Sequence, residues 1–353
     1  MSLREATINI LNRYAPLPTR VFWSPRSVTL WLTTKCNLNC FFCLRSIMKL
    51  ENIDMKKKTW KKVLEYNLKE LNLCGNGETL LHPDFFNIIR EAKKRDMRIN
   101  FSTNGILIDE NMISKFRNLD INNFSISIDG VGDLYKKIRE TPFDKIYNTV
   151  VKLSEFADIG INYVGMKMNA LEFSKLVKIF NNYASLIRFN HIQPFSKKID
   201  KQHLHRYPKL MNKINKDAEK SNSKNIKLRL RDSVPKPEFC IEPFFSPYIA
   251  IDGSVYPCCI LGDHHDLKVT EWYMGVPMEI NPDNVGLMGN IHDKDLKEIF
   301  NSKKFINLRK IFLKSFKESR KKKWTVDKYV KFREKHADDH PCVACAYRFS
   351  CVC

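Results

Sequence analysis

The first two-thirds of the chain alternates short apolar runs with longer amphipathic stretches, and that alternation limits the possible fold more than any other feature. The candidate strands are residues 27–34 (SVTLWLTT), 70–75 (ELNLCG), 98–104 (RINFSTN), 123–129 (NFSISID), 161–169 (INYVGMKMN) and 186–195 (LIRFNHIQPF). Each is rich in β-branched or aromatic residues, and most end in Gly, Asn or Asp. Between them, stretches such as TWKKVLEYNLKEL and HPDFFNIIREAKKRDM carry apolar residues at helical spacing with charges opposite. Strand–helix alternation of this kind builds parallel βαβ units. The predicted fold class is α/β, a partial (β/α)6 TIM-like barrel, because six strands are too few to close an eightfold one. The chemistry of such folds sits at the C-terminal ends of the strands.

The alternation also sets the domain expectations. Residues 1–26 form an N-terminal extension, in which Ile8, Ile10, Leu11 and Tyr14 could line one face of a short amphipathic helix. That helix is expected to pack on the domain, with membrane contact as the alternative. Residues 27–195 form the barrel. Residues 196–237, polar and rich in Lys and Asn, read as a partly helical bridge. Residues 238–353 hold most of the cysteines.

The chain has 11 cysteines, neither a run of about 18 apolar residues nor a secretory signal, and the expected location is the cytoplasm. In a reducing compartment cysteines more often bind metals than pair as disulfides. The net charge of +21 attracts anions, and nucleic acid, phosphorylated metabolites, anionic headgroups and acidic electron-transfer proteins all fit it. Runs such as Lys56-Lys57-Lys58 and Lys321-Lys322-Lys323 are equally explained as solvated surface.

Cys36, Cys40 and Cys43 lie in TKCNLNCFFCLRS, a C-x3-C-x2-C loop directly after the first candidate strand. Three thiolates on one short loop can hold three corners of a [4Fe–4S] cubane, leaving one iron open for an amino and carboxylate pair. Lys35 and Arg45 flank the loop and would stabilise thiolate charge. A structural zinc site is the alternative, but it needs four ligands, and His82, the nearest histidine, is distant in sequence.

This loop, with Phe42 just before its last cysteine, resembles the signature of the radical SAM superfamily, whose members cleave S-adenosylmethionine (SAM) reductively. Three later strand ends strengthen the resemblance. LCGNGETLL is similar to the family's Gly-Gly-Glu motif, with Gly77 and Glu78 matching and Asn76 in place of the first glycine. FSTNGILI, with Ser102 and Asn104, is similar to S-T-N-G, and FSISIDG, with Ser127 and Asp129, to S-x-D-G. Arg139 matches the family's arginine near the SAM carboxylate. The resemblance implies that Glu78 and nearby carbonyls hold the SAM amino group, and that Ser102, Asn104, Ser127 and Asp129 contact the cofactor. Asn169 is a weaker match. His191 and Gln193 are candidates for the barrel interior, with a core histidine as the alternative.

The C-terminal cysteines resemble the SPASM extension of these enzymes, through IAIDGSVYPCC, GNIHDKDLKEIFNSKKFINLRK and the run Cys342, Cys345, Cys351. The resemblance implies one auxiliary [4Fe–4S] cluster held by Cys240, Cys258, Cys342 and Cys345, as in the shortened "twitch" form. Cys351 could replace one of the four. A second cluster is the alternative, although two need eight ligands and this region offers seven cysteines. Cys259 is a candidate hydrogen-atom donor, with a buried apolar thiol as its alternative, Cys353 is spare, and Cys74 is expected in the core.

The resemblance implies a radical SAM enzyme of oxidoreductase or isomerase type. Its 5′-deoxyadenosyl radical would oxidise, epimerise or link a small polar or anionic metabolite or carbohydrate conjugate. With 35 residues before Cys36 there is little room for a peptide-leader domain, so a peptide substrate is the second expectation. An acidic electron donor such as flavodoxin or ferredoxin is the expected protein partner, and no transmembrane segment is expected. Nucleic acid is not expected: a basic zinc-containing nucleic-acid-binding protein would leave the ordered strand-end motifs without a reason.

Overall fold

The computed structural model describes residues 17–21, 23–224, 226–235, 239–262, 267–280, 286–320 and 322–345. Six parallel strands follow in order: β1 (Ser27–Leu30), β2 (Glu70–Leu73), β3 (Arg98–Thr103), β4 (Asn123–Ser127), β5 (Asp158–Gly165) and β6 (Leu186–His191). They pair with their sequence neighbours in that order, as short right-handed crossovers dictate.

All six strands are shorter than their candidate runs, because each yields to a turn at its C-terminal end. The fifth is displaced as well, beginning at Asp158 and ending at Gly165. A Cβ at Gly165 would fall 2.0 Å from the Phe189 ring. Beyond it, Asn169 closes a turn: its Oδ1 accepts from the Met166 N–H at 2.7 Å, and its Nδ2 donates to the Asp129 and Val164 carbonyls. Asn169 is fully buried and staples the ends of β4 and β5 together.

The sheet reaches beyond six strands. β7 (Lys227–Arg229) pairs parallel with β6 and lies inside the segment expected as a bridge, which also contains the helix Pro208–Ser221. At the other edge, β8 (Tyr248–Ile249) pairs parallel with β1, and β9 (Ser254–Tyr256) and β12 (Gly289–Asn290) extend it antiparallel. The cysteine-rich region therefore prolongs the same sheet, which holds ten strands among the described residues. A separate hairpin, β10 (Val269–Tyr273) and β11 (Val276–Ile280), stands apart. The N-terminal helix expected around Ile8 to Tyr14 lies outside the described residues, as do Cys351 and Cys353. None of the described helices is long and apolar enough to cross a membrane.

The two faces of the sheet differ sharply. Val28, Leu30, Leu71, Leu73, Phe101, Phe124, Ile126, Ile161, Ile187 and Phe189 alternate along the strands and are buried under the helices. The helix Phe173–Phe180 matches them, burying Phe173, Leu176, Val177 and Phe180 at helical spacing. Phe101, Phe116 and Phe124 form edge-to-face contacts 5.1–5.3 Å apart on this side with Phe85. Truncating such a ring to Ala costs about 3–5 kcal/mol. The opposite face carries Asn72, Asn100, Ser102, Ser125, Ser127, Asn162, Arg188 and Asn190, all half-buried. A sheet with one apolar and one polar face keeps the second for ligands.

Candidate functional site

The loop after β1 is fixed before any ligand arrives. Thr33 bridges to Asp54, and the Cys43 N–H donates to the Cys40 carbonyl at 3.0 Å, turning the chain into the helix Leu44–Met48. The turn after β2 fits beneath it. A Cβ at Gly77 would lie 2.0 Å from the Thr33 carbonyl oxygen, and one at Gly75 would lie 2.2 Å from the Trp31 ring. Only glycine allows so close an approach, so both positions follow from packing.

A cavity of about 270 Å³ opens between this loop and the ends of β2–β5. Cys36, Cys40 and Cys43 wall one side, with Phe42 and Arg45. Gly77, Glu78, Ser102, Asn104, Ser127 and Arg139 wall the other, joined by Asn162. Among the cofactor residues expected from the sequence, Asp129 alone is absent from the wall. The strand ends at Ser127, so Asp129 lies beyond it and does not follow Ser127 onto the cavity wall. Asp129 is fully buried beneath the cavity, where its Oδ2 accepts from Arg139 Nε at 2.7 Å and its Oδ1 from the Val164 N–H at 2.7 Å. Its work is to aim Arg139.

Glu78 is also more constrained than its motif suggests. Thr103 Oγ1 and the Asn104 N–H each donate to its carboxylate at 2.7 Å, and the Leu80 N–H donates at 3.2 Å. A carboxylate offers about four acceptor sites, so protein donors occupy most of this one. Burial raises the Glu78 pKa, and these hydrogen bonds oppose the rise. Asn104 ties the two motifs together: its Nδ2 donates to Asn37 Oδ1 at 2.8 Å and lies 3.9 Å from Cys36 Sγ.

Burial raises the pKa of all three loop thiols, that of Cys40 to about 12. Arg139 opposes this at Cys40 and Cys43, and Arg45 at Cys36 and Cys43. Lys35, expected to share that task, instead pairs with Asp54 at 2.5 Å. The donor set fits a cubane, in which each thiolate takes a different iron. No group of three or more His, Cys, Asp or Glu converges as on a single ion among the described residues, whereas a zinc site would need four ligands around one point.

One expectation needs correction, and two residues with alternatives can be placed. Cys74 is exposed on the cavity wall and not in the core. The alternation of buried Leu71 and Leu73 already places it on the polar face. His191 takes its core alternative: it is buried and packed against His203 and His205 with ring centroids 5.0 and 4.5 Å apart. Cys259 begins the helix Cys259–Gly262 and does not wall the cavity. Asn162 was missed because its neighbours in the fold come from other strands.

Further along the chain, Cys240, Cys258, Cys259 and Cys342 are half-buried against the main core. The segment carrying Cys342 and Cys345 is held by two helices. Ser315 Oγ of Lys303–Ser319 donates to the Val343 carbonyl at 2.9 Å, and Tyr329 Oη of Val326–Lys335 to the Ala344 carbonyl at 2.9 Å. Arg333 holds the same carbonyl and pairs with Glu271 at 2.9 Å, both side chains buried.

With this geometry in place, the comparisons with known proteins are informative. Residues 32–179 match the Radical SAM superfamily, and residues 240–346 match SPASM, an iron–sulfur cluster-binding domain. A protein named "Probable GTP 3',8-cyclase" from Methanocaldococcus jannaschii is 24% identical over 266 residues, 68% of this chain and 86% of its own. The mycofactocin maturase MftC of Mycobacterium tuberculosis is 25% identical over 185 residues, 50% of this chain and 47% of that one. The chain thus spans about half the length of the maturase. Streptococcus suis SuiB bound to S-adenosylmethionine aligns with a TM-score of 0.62 at 15% identity, covering 87% of this chain and 72% of that one, a likeness of fold. The families imply a [4Fe–4S] cluster with SAM in the first domain and auxiliary iron–sulfur chemistry in the second. The chain belongs to the radical SAM superfamily and carries a radical SAM domain followed by a SPASM domain.

Proposed function

We propose that this radical SAM enzyme abstracts a hydrogen atom from a small polar or anionic metabolite or carbohydrate conjugate, ending in oxidation, epimerisation or bond formation. The observation that carries the reading is the single cavity walled by three thiols and by the ends of β2, β3, β4 and β5. Cys36, Cys40 and Cys43 would hold the cluster. When bound and reduced, it supplies one electron to the SAM sulfonium, whose C–S bond breaks to give methionine and a 5′-deoxyadenosyl radical. Glu78 keeps an acceptor position for the SAM amino group. Arg139, aimed by Asp129, offers its guanidinium to the carboxylate. Ser102, Ser127 and Asn162 supply neutral hydrogen bonds for the ribose, and Phe42 shields the sulfonium from water. Cys240, Cys258, Cys342 and Cys345 would hold the auxiliary cluster, and an acidic electron donor suits a chain of net charge +21.

The test is anaerobic incubation of the reconstituted protein with SAM and a strong reductant, measuring 5′-deoxyadenosine. Formation of 5′-deoxyadenosine supports the reading, and its absence from iron-replete protein refutes it. Candidate metabolites and peptides, run in deuterated solvent, separate the substrate classes, and solvent deuterium in product separates epimerisation from oxidation.

A further inference from the structure

The cysteine loop after β1 presents its residues in turn to the cavity and to the solvent. Cys36, Leu38, Cys40 and Phe42 wall the SAM cavity, while Asn37, Asn39 and Phe41 between them are exposed. The thiols that would hold the cluster are thus separated from the solvent on this side by a single segment of chain.

A strap extends the outer surface of the loop. The Thr34 N–H donates to the Ile53 carbonyl at 3.0 Å, the Met55 N–H donates to the Leu32 carbonyl at 2.7 Å, and Lys35 pairs with Asp54 at 2.5 Å. Ile53 therefore lies against Thr34, two residues before Cys36. Among the described residues four large apolar side chains are exposed, and the loop and its strap hold two of them, Phe41 at 41% and Ile53 at 48%. The surroundings are basic. Residues 49–62 carry six lysines against two carboxylates, of which Asp54 is already paired with Lys35. Lys49, Lys56, Lys57 and Lys58 are exposed, and their ammonium groups make no hydrogen bond or ion pair among the described residues. Lys56 stands at the N-cap of the helix Lys57–Leu64, whose first turn holds no acidic residue, although a helix N-terminus favours anions over cations. The helix Glu110–Asn118 does the opposite, with Asp109 as its cap and Glu110 in its first turn. Helix stability does not explain the three lysines. An apolar pair with a charged rim is instead the makeup of a protein interface.

Building on the proposed function, in which the cluster is reduced from outside, we infer that the outer face of residues 37–41 and 49–58 is the docking surface of a small acidic electron-transfer protein. Phe41 and Ile53 supply the apolar contact, and Lys49, Lys56, Lys57 and Lys58 steer the partner's carboxylates. One electron crosses the loop: an anionic flavin hydroquinone in the donor becomes the neutral semiquinone, the cluster gains that electron, and no proton moves. A nucleic acid would meet the same lysines, but it would leave their gathering beside the loop that covers the thiols without a reason.

The experiment uses the reconstituted, SAM-loaded full chain, with oxidised flavodoxin, an acidic protein, as the binding probe in calorimetric titrations at low and at physiological salt. Flavodoxin should bind saturably, and more weakly at the higher salt. Lys56→Glu, Lys57→Glu and Lys58→Glu combined should weaken binding about tenfold or more, and Ile53→Ser alone about threefold. A control triple, Lys209→Glu, Lys216→Glu and Lys220→Glu on the helix Pro208–Ser221, changes the net charge equally and should bind within about twofold of the wild type, because charges away from the contact are screened. In a parallel assay of 5′-deoxyadenosine, the Lys56–Lys58 triple should lose about tenfold in rate with reduced flavodoxin and keep its rate with dithionite. Thermal unfolding of each variant separates a lost surface from a lost fold. Absence of flavodoxin binding, unchanged binding by the folded Lys56–Lys58 triple, equal weakening by the control triple, or tighter binding of a short DNA duplex through the same lysines would overturn the inference. Failure of the wild type to cleave SAM with dithionite would refute the proposed function instead, and the titrations would still decide the docking surface.

Discussion

Cys36, Cys40 and Cys43 sit on one loop and wall one cavity, whereas Cys240, Cys258, Cys342 and Cys345 come from segments spread over the last third of the chain. The first group is positioned by a short turn, a bridge to Asp54 and two glycines pressed against backbone and ring. The second depends on two helices, a hairpin and the buried Arg333–Glu271 pair. The difference teaches that the loop's geometry is local and can survive changes elsewhere. A site built from the second group would exist only as far as its surroundings are folded, so metal binding and folding would be coupled there.

The sharpest way to break this contrast is Cys40→Ala. It should abolish 5′-deoxyadenosine formation, a loss exceeding the about 10–100-fold typical of a supporting group around a metal. Iron bound through the C-terminal cysteines should remain, and the thermal transition should hold. Loss of all iron, or survival of SAM cleavage, would contradict a locally built site.

Next in size is Arg333→Met. Arg333 and Glu271 are both buried, so removing one partner strands the other charge, at a cost of about 3–5 kcal/mol. Denaturant titration should show this, with C-terminal iron lost first. Replacing both partners by apolar residues should recover most of the stability, because the stranded charge is then gone. If Arg333→Met unfolds at the wild-type midpoint, the dependence of the second site on its surroundings is wrong.

A smaller effect tests independence directly. Cys345→Ala should remove auxiliary iron yet leave uncoupled SAM cleavage within about threefold, as expected for sites that share no partners. Iron content and 5′-deoxyadenosine are measured on the same sample. A collapse of SAM cleavage would show that the two cysteine regions are coupled after all.

The same contrast explains what could be read from the residues alone. The strand order, the loop trio and the turns carrying Glu78, Asn104 and Arg139 are local patterns, and each lies at a strand end. Asp129 was harder to place, because it lies past the end of β4 at Ser127, where strand alternation no longer sets which way a side chain faces. Cys74 and His191 could have been placed by alternation, since Leu71, Leu73, Ile187 and Phe189 mark the buried face. The pairing of Ser127 with Asn162 across β4 and β5 was beyond reach, because strand register is set by packing between separate segments. So was β7, whose three residues carry too little pattern to stand out from a polar stretch.

Between the two regions lies a cluster whose response to acid is the smallest of these effects. His191, His203 and His205 are buried against Tyr273 of β10, and His205 Nδ1 hydrogen-bonds the Tyr273 hydroxyl. His191 Nδ1 and His205 Nε2 lack hydrogen-bond partners among the described residues. Around them stand Asp200, Arg206, Arg231, Asp232, Tyr329 and Arg333. Burial lowers all three histidine pKa values, that of His205 to about 4. The unfolded value is about 6.5, so the unfolded chain takes up protons first as the pH falls. The stability from keeping these rings neutral is complete above 6.5 and declines as the pH drops toward 4. Between pH 7 and pH 5 the thermal midpoint should fall by about 2–4 °C per kcal/mol lost. His205→Gln, which cannot be protonated, should flatten that slope, even if it lowers the midpoint at pH 7. An unchanged slope in the variant would place the acid sensitivity elsewhere and leave Tyr273 packed against the triad for shape alone.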